Sequence, residues 1–425
     1  MASNRIKAPK GTHDVLPGES YKWQYVEGVL RETARRFGYR EIRFPAFEHT
    51  ELFLRGVGDT TDVVQKEMYT FEDKGGRSIT LRPEGTASVV RSFIENALYA
   101  QALPQKMFYI APNFRYEKPQ AGRYREHHQF GAECFGSAEP AADADMILLL
   151  HECIKNLGLR DITLELNSIG CPECRPVFQG ALRAFFEGKK EVLCGACAER
   201  LERNPMRVLD CKSEICRRES EGAPVMLDSL CGNCRTHFEK TRASLDAAGI
   251  EYRINPRIVR GLDYYTRTVF EFVSEDIGSQ GAVGGGGRYD GLVSQLGGPE
   301  TPGVGFGSGI ERFLLVMEAQ SVVIPQPENA DIFIASAGEE AAMEAGRLCF
   351  SLRGLGLSAE RDLCARSLKA QMKYADKLSA RHVLVLGGDE LSSGMAALRD
   401  MRTGAQRECA LGAEDIYKII MEAGN

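Results

Sequence analysis

The spacing of apolar residues sorts much of the chain into elements. YKWQYVEGVLRETARRFGY (21–39) repeats valine, leucine and aromatic residues every three to four positions, which predicts an amphipathic helix. SITLRPEG (78–85) reads as a strand running into a turn, and TASVVRSFIENALYA (86–100) as the helix that follows, with Thr86 as its N-cap. KMFYIAPNFRYE (106–117) and HQFGAECFG (128–136) read as the strands of a hairpin, joined by an unusually basic loop, KPQAGRYREH. In RGLDYYTRTVFEF (260–272) the second half alternates like a half-buried strand, while the first half sets an arginine, a glycine, an aspartate and two tyrosines in front of it. GVGFGSGIERFLL (303–315) reads as a glycine-rich turn before a helix that begins near Ile310. PQPENAD (325–331) is a linker. Beyond it ADIFIAS, HVLVLGG and MAALRDM alternate with helical stretches, the pattern of a small α/β domain over 331–425.

At 425 residues the chain is too long for one ordinary domain, and two or three are expected. It has no run of eighteen apolar residues, so a membrane span is not expected. The first residues carry no apolar signal core, which makes the cytoplasm the default compartment. A net charge of −6 does not advertise nucleic-acid binding, but a local basic face needs no basic total. Eight of the thirteen cysteines fall between 171 and 234, as CPEC, CGAC, CKSEIC and CGNC. In a long cytosolic chain such spacing points to metal or free thiols before disulfides. This cysteine-rich block, about 170–250, reads as an insertion in the domain that spans 1–324.

Candidate chemistry gathers on two of these stretches. Arg115 and Glu117 alternate along the first hairpin strand and so share a face, with Arg123 and Arg125 across the turn. Arginine forks fit phosphate oxygens, so the hairpin suits a triphosphate; solvated surface charges are the plainer alternative. Arg312 stands in the first turn of the later helix, where the dipole disfavours a cation unless an anion binds there. The glycines at 303, 305, 307 and 309 match neither a P-loop nor a dinucleotide fingerprint.

Together these stretches resemble the class II aminoacyl-tRNA synthetases: FRYE…GRYREHHQF is similar to their motif 2 and GVGFGSGIERF to motif 3. KGTHDVLP, LRPEGTASVVR, RGLDYYTRTVFEF and GGGGRYDGL narrow the resemblance to the histidyl-tRNA synthetase family, over nearly the whole chain. It implies an α+β fold: an antiparallel catalytic sheet flanked by helices, an insertion, and a C-terminal α/β anticodon-binding domain. It implies a homodimer that joins L-histidine to tRNA(His) through a histidyl-adenylate, with ATP and Mg²⁺. Arg260, with Arg115, would then stabilise the charge shared by the substrate carboxylate and the α-phosphate. Glu84, Gly85 and Thr86 would meet the α-amino end of histidine. Gln129 and Glu133, an even number apart on one strand, would meet the imidazole. Tyr264, Tyr265 and Tyr289 would wall the pocket. Arg115, Glu117, Arg123, His127 and Arg312 would hold ATP; His127 stands where the family carries an adenine-stacking phenylalanine.

For tRNA, the loop residue Gln120 is a candidate at the acceptor end. Arg366, Lys369, Lys373 and Lys377 fall at helical spacing for an anticodon-domain face, with a solvated face as the alternative. Cys171, Cys174, Cys194 and Cys197 are candidates for one structural Zn²⁺ site, or two with Cys211 and Cys216; a reduced, metal-free lobe stays open. Two rivals remain at this stage: a catalytically inactive regulatory paralogue, and a zinc-ribbon nucleic-acid module. The second leaves Arg115, Arg260 and Arg312 unexplained.

Overall fold

The computed structural model describes residues 5–58, 61–209, 211, 213–258, 260–278, 281–327 and 329–423. The chain divides into two compact units, Met1–Pro325 and Gln326–Asn425. The break falls within the proline-containing stretch read as a linker. No helix of the described residues is long and apolar enough to cross a membrane.

The first unit contains strands β1 (Arg40–Glu41), β2 (Phe47–His49), β3 (Tyr69–Glu72), β4 (Ser78–Leu81), β5 (Gln105–Phe114) and β6 (Glu126–Phe135). It continues with β7 (Ile162–Ser168), β8 (Arg253–Ile254), β9 (Thr266–Ser274), β10 (Ala282–Arg288) and β11 (Gly303–Gly309). Among the described residues, eight of these build one sheet in the order β1-β5-β6-β11-β10-β9-β7-β8. Every pairing is antiparallel except the two at the rims, β1 with β5 and β7 with β8. β2, β4 and β3 make a small separate sheet.

Strand alternation gives the large sheet two different faces. Phe130, Ala132, Phe270, Phe272, Val304 and Phe306 point into one core with residues of the helices Pro17–Arg36, Pro140–Asn156 and Ile310–Ala319. The first of these helices begins four residues before the 21–39 stretch and ends three residues before the end of it. Pro17 opens it, Arg35 and Arg36 close it, and Val26, Leu30 and Ala34 are its buried stripe. The opposite face carries Met107, Tyr109, Phe135, Val269, Tyr264, Tyr265 and Tyr289, roofed by the cysteine-rich segment. Tyr109, Tyr264, Tyr265 and Tyr289 give this second face large, polar-tipped and buried side chains.

Two glycine-rich stretches form β10 and β11, central strands of the sheet, where GVGFGSG was expected to turn. Glycine is disfavoured in strands, but here its missing side chain is what the packing requires. A Cβ at Gly286 would meet the Phe306 Cα at 2.6 Å.

In the second unit β12 (Ile332–Ser336), β13 (Ala359–Arg361), β14 (His382–Leu386), β15 (Met395–Asp400) and β16 (Gln406–Ala410) pair in the order β13-β12-β14-β15-β16. The first three strands are parallel and the last two join antiparallel. Helix Glu339–Gly354 shares one core with Ile416 and Ile420, while Ala375 of helix Leu368–Lys377 packs with Phe333 and Val383 in another. The alternation read from the sequence is therefore a sheet covered on both faces.

Candidate active site

β6 is the spine of the site. Its odd positions bring His127, Gln129, Gly131 and Glu133 out on the tyrosine-bearing face. The neighbouring strand leaves them space: Gln129 lies opposite Gly309 and Glu133 opposite Gly305. A side chain at Gly305 would collide with the Glu133 carboxylate, and one at Gly307 with the Gln129 amide. Asn113 on β5 holds Gln129 from the other side, its Nδ2 donating to Gln129 Oε1 at 2.6 Å.

Glu133 is fully buried. Thr86 Oγ1 donates to its Oε1 at 2.7 Å, and the Tyr289 hydroxyl donates to its Oε2. Burial pushes its pKa up to about 8, against those two hydrogen bonds and with help from the negative charge of Glu84. Thr86 is turned toward this carboxylate and is not the N-cap of helix Thr86–Glu95. Gly85 occupies the cap position, and the capping is done by Glu84, which accepts from the N–H groups of Thr86 and Ala87 at 2.8 Å each. Gly85 has a packing role as well, since a Cβ there would enter the ring of Tyr109. Tyr264, Tyr265 and Tyr289 close the pocket: ring centroids lie 4.7 Å apart for the first two, and 5.6 and 6.4 Å from each to Tyr289.

Beyond Gln129 the pocket opens into a cleft of about 520 Å³ lined by Arg115, Glu117, Arg123, His127, Arg260 and Arg312. The sequence reading placed Arg115 and Glu117 on one strand face, but β5 ends at Phe114 and both residues sit in the loop. They meet by loop geometry instead. Arg115 Nη1 lies 3.9 Å from Glu117 Oε1, Arg123 pairs with the same carboxylate, and Arg115 Nε donates to the Pro83 carbonyl at 2.7 Å. Arg260 is paired with Glu271 on β9, and its guanidinium carbon lies 5.5 Å from the Tyr265 ring centroid. Gly285 leaves room for it, because a Cβ there would come within 2.8 Å of Arg260 Nη1. Arg312 does stand in the first turn of helix Ile310–Ala319, where burial and then the charges of Arg123 and Arg115 lower its pKa. His127 feels the same field: burial first, then Arg115 and Arg312, bring its pKa down to about 3, so the ring is neutral.

Several cleft residues escaped the sequence reading. Glu271 sits between two buried phenylalanines, and Asn113 within an apolar strand; neither has a local signal beyond being polar there. Arg200 and Arg207 come from the cysteine-rich segment and reach the cleft wall, each 3.2 Å from Asp62 Oδ2. Glu311 binds the His128 N–H at 2.8 Å through Oε1, while its Oε2 is buried without a hydrogen-bond partner among the described residues.

Of the candidates for tRNA, Gln120 is exposed in the turn and bridges to Arg123. Arg366 precedes helix Leu368–Lys377 and so is not part of its face; it pairs with Asp362 Oδ1 at 2.7 Å and lies over the Tyr374 ring at 4.4 Å. Lys369, Lys373 and Lys377 remain on the helix and exposed.

Cys171, Cys174, Cys194 and Cys197 do not make one cluster. The two pairs are separated by helix Cys174–Phe186, and each finds later partners. Cys171 and Cys174 meet Cys231 and Cys234; Cys194 and Cys197 meet Cys211 and Cys216; within each set all Sγ atoms lie within 4.8 Å.

A family model described as "Histidyl-tRNA synthetase" matches residues 11–177 and 217–313, and one described as "Anticodon binding domain" matches 320–421. The stretch between the first two segments holds Cys194, Cys197, Cys211 and Cys216 with Arg200 and Arg207. A histidine–tRNA ligase of Caldanaerobacter subterraneus subsp. tengcongensis is 55% identical over 414 residues, 97% of this chain and 99% of that one. That of Acetivibrio thermocellus is 54% identical over 405 residues, 95% and 97% of the two chains. Among solved structures, an apo histidyl-tRNA synthetase from S. aureus superposes with a TM-score of 0.83 at 39% identity, over 97% of this chain and 99% of that chain. A Bacillus halodurans protein titled an ATP phosphoribosyltransferase regulatory subunit/histidyl-tRNA synthetase shares the fold at 22% identity, with a TM-score of 0.63 and coverage of 89% and 98%.

Proposed function

The chain belongs to the histidyl-tRNA synthetase family, and on that premise we propose how its residues join L-histidine to tRNA(His) at the expense of ATP. The observation that carries the reading is the single face of β6, which runs from His127 in the arginine-lined cleft, through Gln129, to Glu133 in the tyrosine pocket. A nucleotide and an amino acid laid along that face meet beside Gln129 and Arg260.

Histidine enters the tyrosine pocket with its imidazole toward Glu133, which accepts a ring N–H, and toward Gln129. A buried site built for such bonds rejects side chains that cannot make them. Thr86 and the charge of Glu84, held at the helix start beside Gly85, face the α-ammonium. ATP lies across the loop with its phosphates against Arg115, Arg123 and Arg312. Glu117 fixes two of those arginines, and the adenine stacks on the neutral ring of His127. Glu311, with its unpartnered buried Oε2, and Glu271 line the cleft and fit a hard cation. Mg²⁺ held there would neutralise phosphate charge.

A histidine carboxylate oxygen attacks the α-phosphorus, the bond to the bridging oxygen breaks, and pyrophosphate leaves. Arg260, turning from Glu271, and Arg115 stabilise the charge that gathers between carboxylate and phosphate. The terminal ribose hydroxyl of tRNA then attacks the adenylate carbonyl and AMP departs. Gln120 meets the acceptor end, and Lys369 and Lys373, with Arg366 beside them, meet anticodon-stem phosphates. A homodimer in the cytoplasm completes the reading, as the family resemblance suggests.

Histidine-dependent ATP–pyrophosphate exchange tests it. Wild-type protein should exchange with histidine alone among amino acids, and Arg260→Ala should lower kcat about 10²- to 10³-fold with histidine binding retained. Folded wild-type protein without exchange would favour the regulatory relatives of this fold.

A further inference from the structure

The eight cysteines form two separate four-sulfur sites, each on two segments of chain. In the first, Cys171 Sγ lies 3.6 Å from Cys174 Sγ and 3.9 Å from Cys231 Sγ. In the second, Cys194 Sγ lies 3.8 Å from Cys211 Sγ. Four thiolates at about 2.3 Å from a tetrahedral Zn²⁺ are about 3.8 Å from one another. The sulfurs also receive backbone N–H groups, as zinc thiolates do: Cys231 N donates to Cys174 Sγ at 3.1 Å and Cys194 N to Cys216 Sγ at 3.3 Å. None of the eight is in a disulfide.

One site touches the tyrosine pocket and the other the arginine-lined cleft. Next to the first, Arg175 donates to the Tyr265 carbonyl, and the Gly170 carbonyl accepts from Arg267 N at 2.8 Å and Thr266 Oγ1 at 3.1 Å. The start of β9 and the tyrosine wall are thus fastened to it. The second site supports Arg200 and Arg207, whose guanidinium groups reach Asp62 on the cleft wall, and Cys211 itself lines the cleft.

We propose that each cluster binds one Zn²⁺ through four thiolates, that the Cys171/Cys174/Cys231/Cys234 site fixes the histidine pocket, and that the Cys194/Cys197/Cys211/Cys216 site fixes the wall against ATP. Binding replaces four thiol protons, which pass to solvent, by one Zn²⁺ in each site, with no change of oxidation state. The division of labour between pockets rests on the synthetase reading; the metal sites do not.

Full-length protein purified without chelator should therefore contain two zinc ions per chain by mass spectrometry. Cys194→Ser and Cys231→Ser should each contain one. In pyrophosphate exchange Cys194→Ser should raise the ATP KM several-fold with little change for histidine, and Cys231→Ser the reverse. Should either variant fail to fold, wild-type protein grown with cobalt must show thiolate-to-cobalt charge transfer and tetrahedral d–d bands, which report the sites without any activity. Wild-type protein with less than about a tenth of an equivalent of zinc and eight freely titrating thiols would overturn the assignment. So would one ion per chain, or the red colour of thiolate-bound iron. Two ions with unaltered substrate constants in the serine variants would overturn the second half of the proposal.

Discussion

Glu133 shows how much chemistry one residue can hold when its surroundings are set. Its two oxygens already accept from Thr86 and Tyr289, so Glu133→Gln must turn an amide nitrogen toward one of those donors. Leaving a buried hydrogen-bonding group without its partner costs about 1–3 kcal/mol, so the histidine KM should rise roughly 5- to 100-fold, read by pyrophosphate exchange, with the ATP KM nearly unchanged. The same residue sets a pH dependence. Its folded pKa of about 8 lies above the ordinary value of 4.5. The stability tied to its protonated form is therefore complete below 4.5 and is lost as pH rises through about 8. Thermal unfolding of the ligand-free wild type should fall across that window relative to Glu133→Gln, which lacks the slope. His127 works in the opposite direction. Its pKa of about 3 lies below the ordinary 6.5, so its contribution is present above 6.5 and lost as pH falls toward 3. As its ring is neutral in the working range, His127→Phe should leave the ATP KM within about twofold or improve it; a tenfold rise would sink the stacking role. Gln129 and Glu133 came from the family resemblance; what the sequence itself made legible is that they share one face of a strand, because strand parity is a two-residue rule. Glu271 and Asn113 were not legible, because what they pair with is decided across the sheet.

Strand β11 is where propensity misleads. Alternating glycines look like a turn, and nothing in the local sequence reveals that their missing side chains are filled by Gln129 and Glu133 from the next strand. That separation of roles can be measured. At Gly307→Ala the nearest atoms are all from the Gln129 side chain, so it should cost little in Tm while raising the histidine KM. Gly286→Ala meets backbone atoms of β11 and should destabilise the fold by about 1–3 kcal/mol or more. Helix Leu368–Lys377 was legible as an element, but its basic stripe begins one turn later than the spacing suggested, since Arg366 lies outside it. Lys369→Ala with Lys373→Ala should weaken tRNA binding and reduce the slope of log affinity against log salt by about 2.

At the scale of the molecule, each unit has its own core, and the boundary at Pro325 coincides with a linker visible in the sequence. A chain ended there should keep histidine-dependent pyrophosphate exchange and lose tRNA charging by about 100-fold or more. The pairing of the cysteines was not legible, because CxxC units say nothing about which unit they face once helices intervene. The large sheet has a final consequence at its rims. Both outermost strands, β1 and β8, are two residues long, exposed, and carry Arg40, Glu41 and Arg253. Another chain therefore finds almost no free backbone to zip onto, and the molecule's broadest β-structure is a poor seed for fibrils even when crowded.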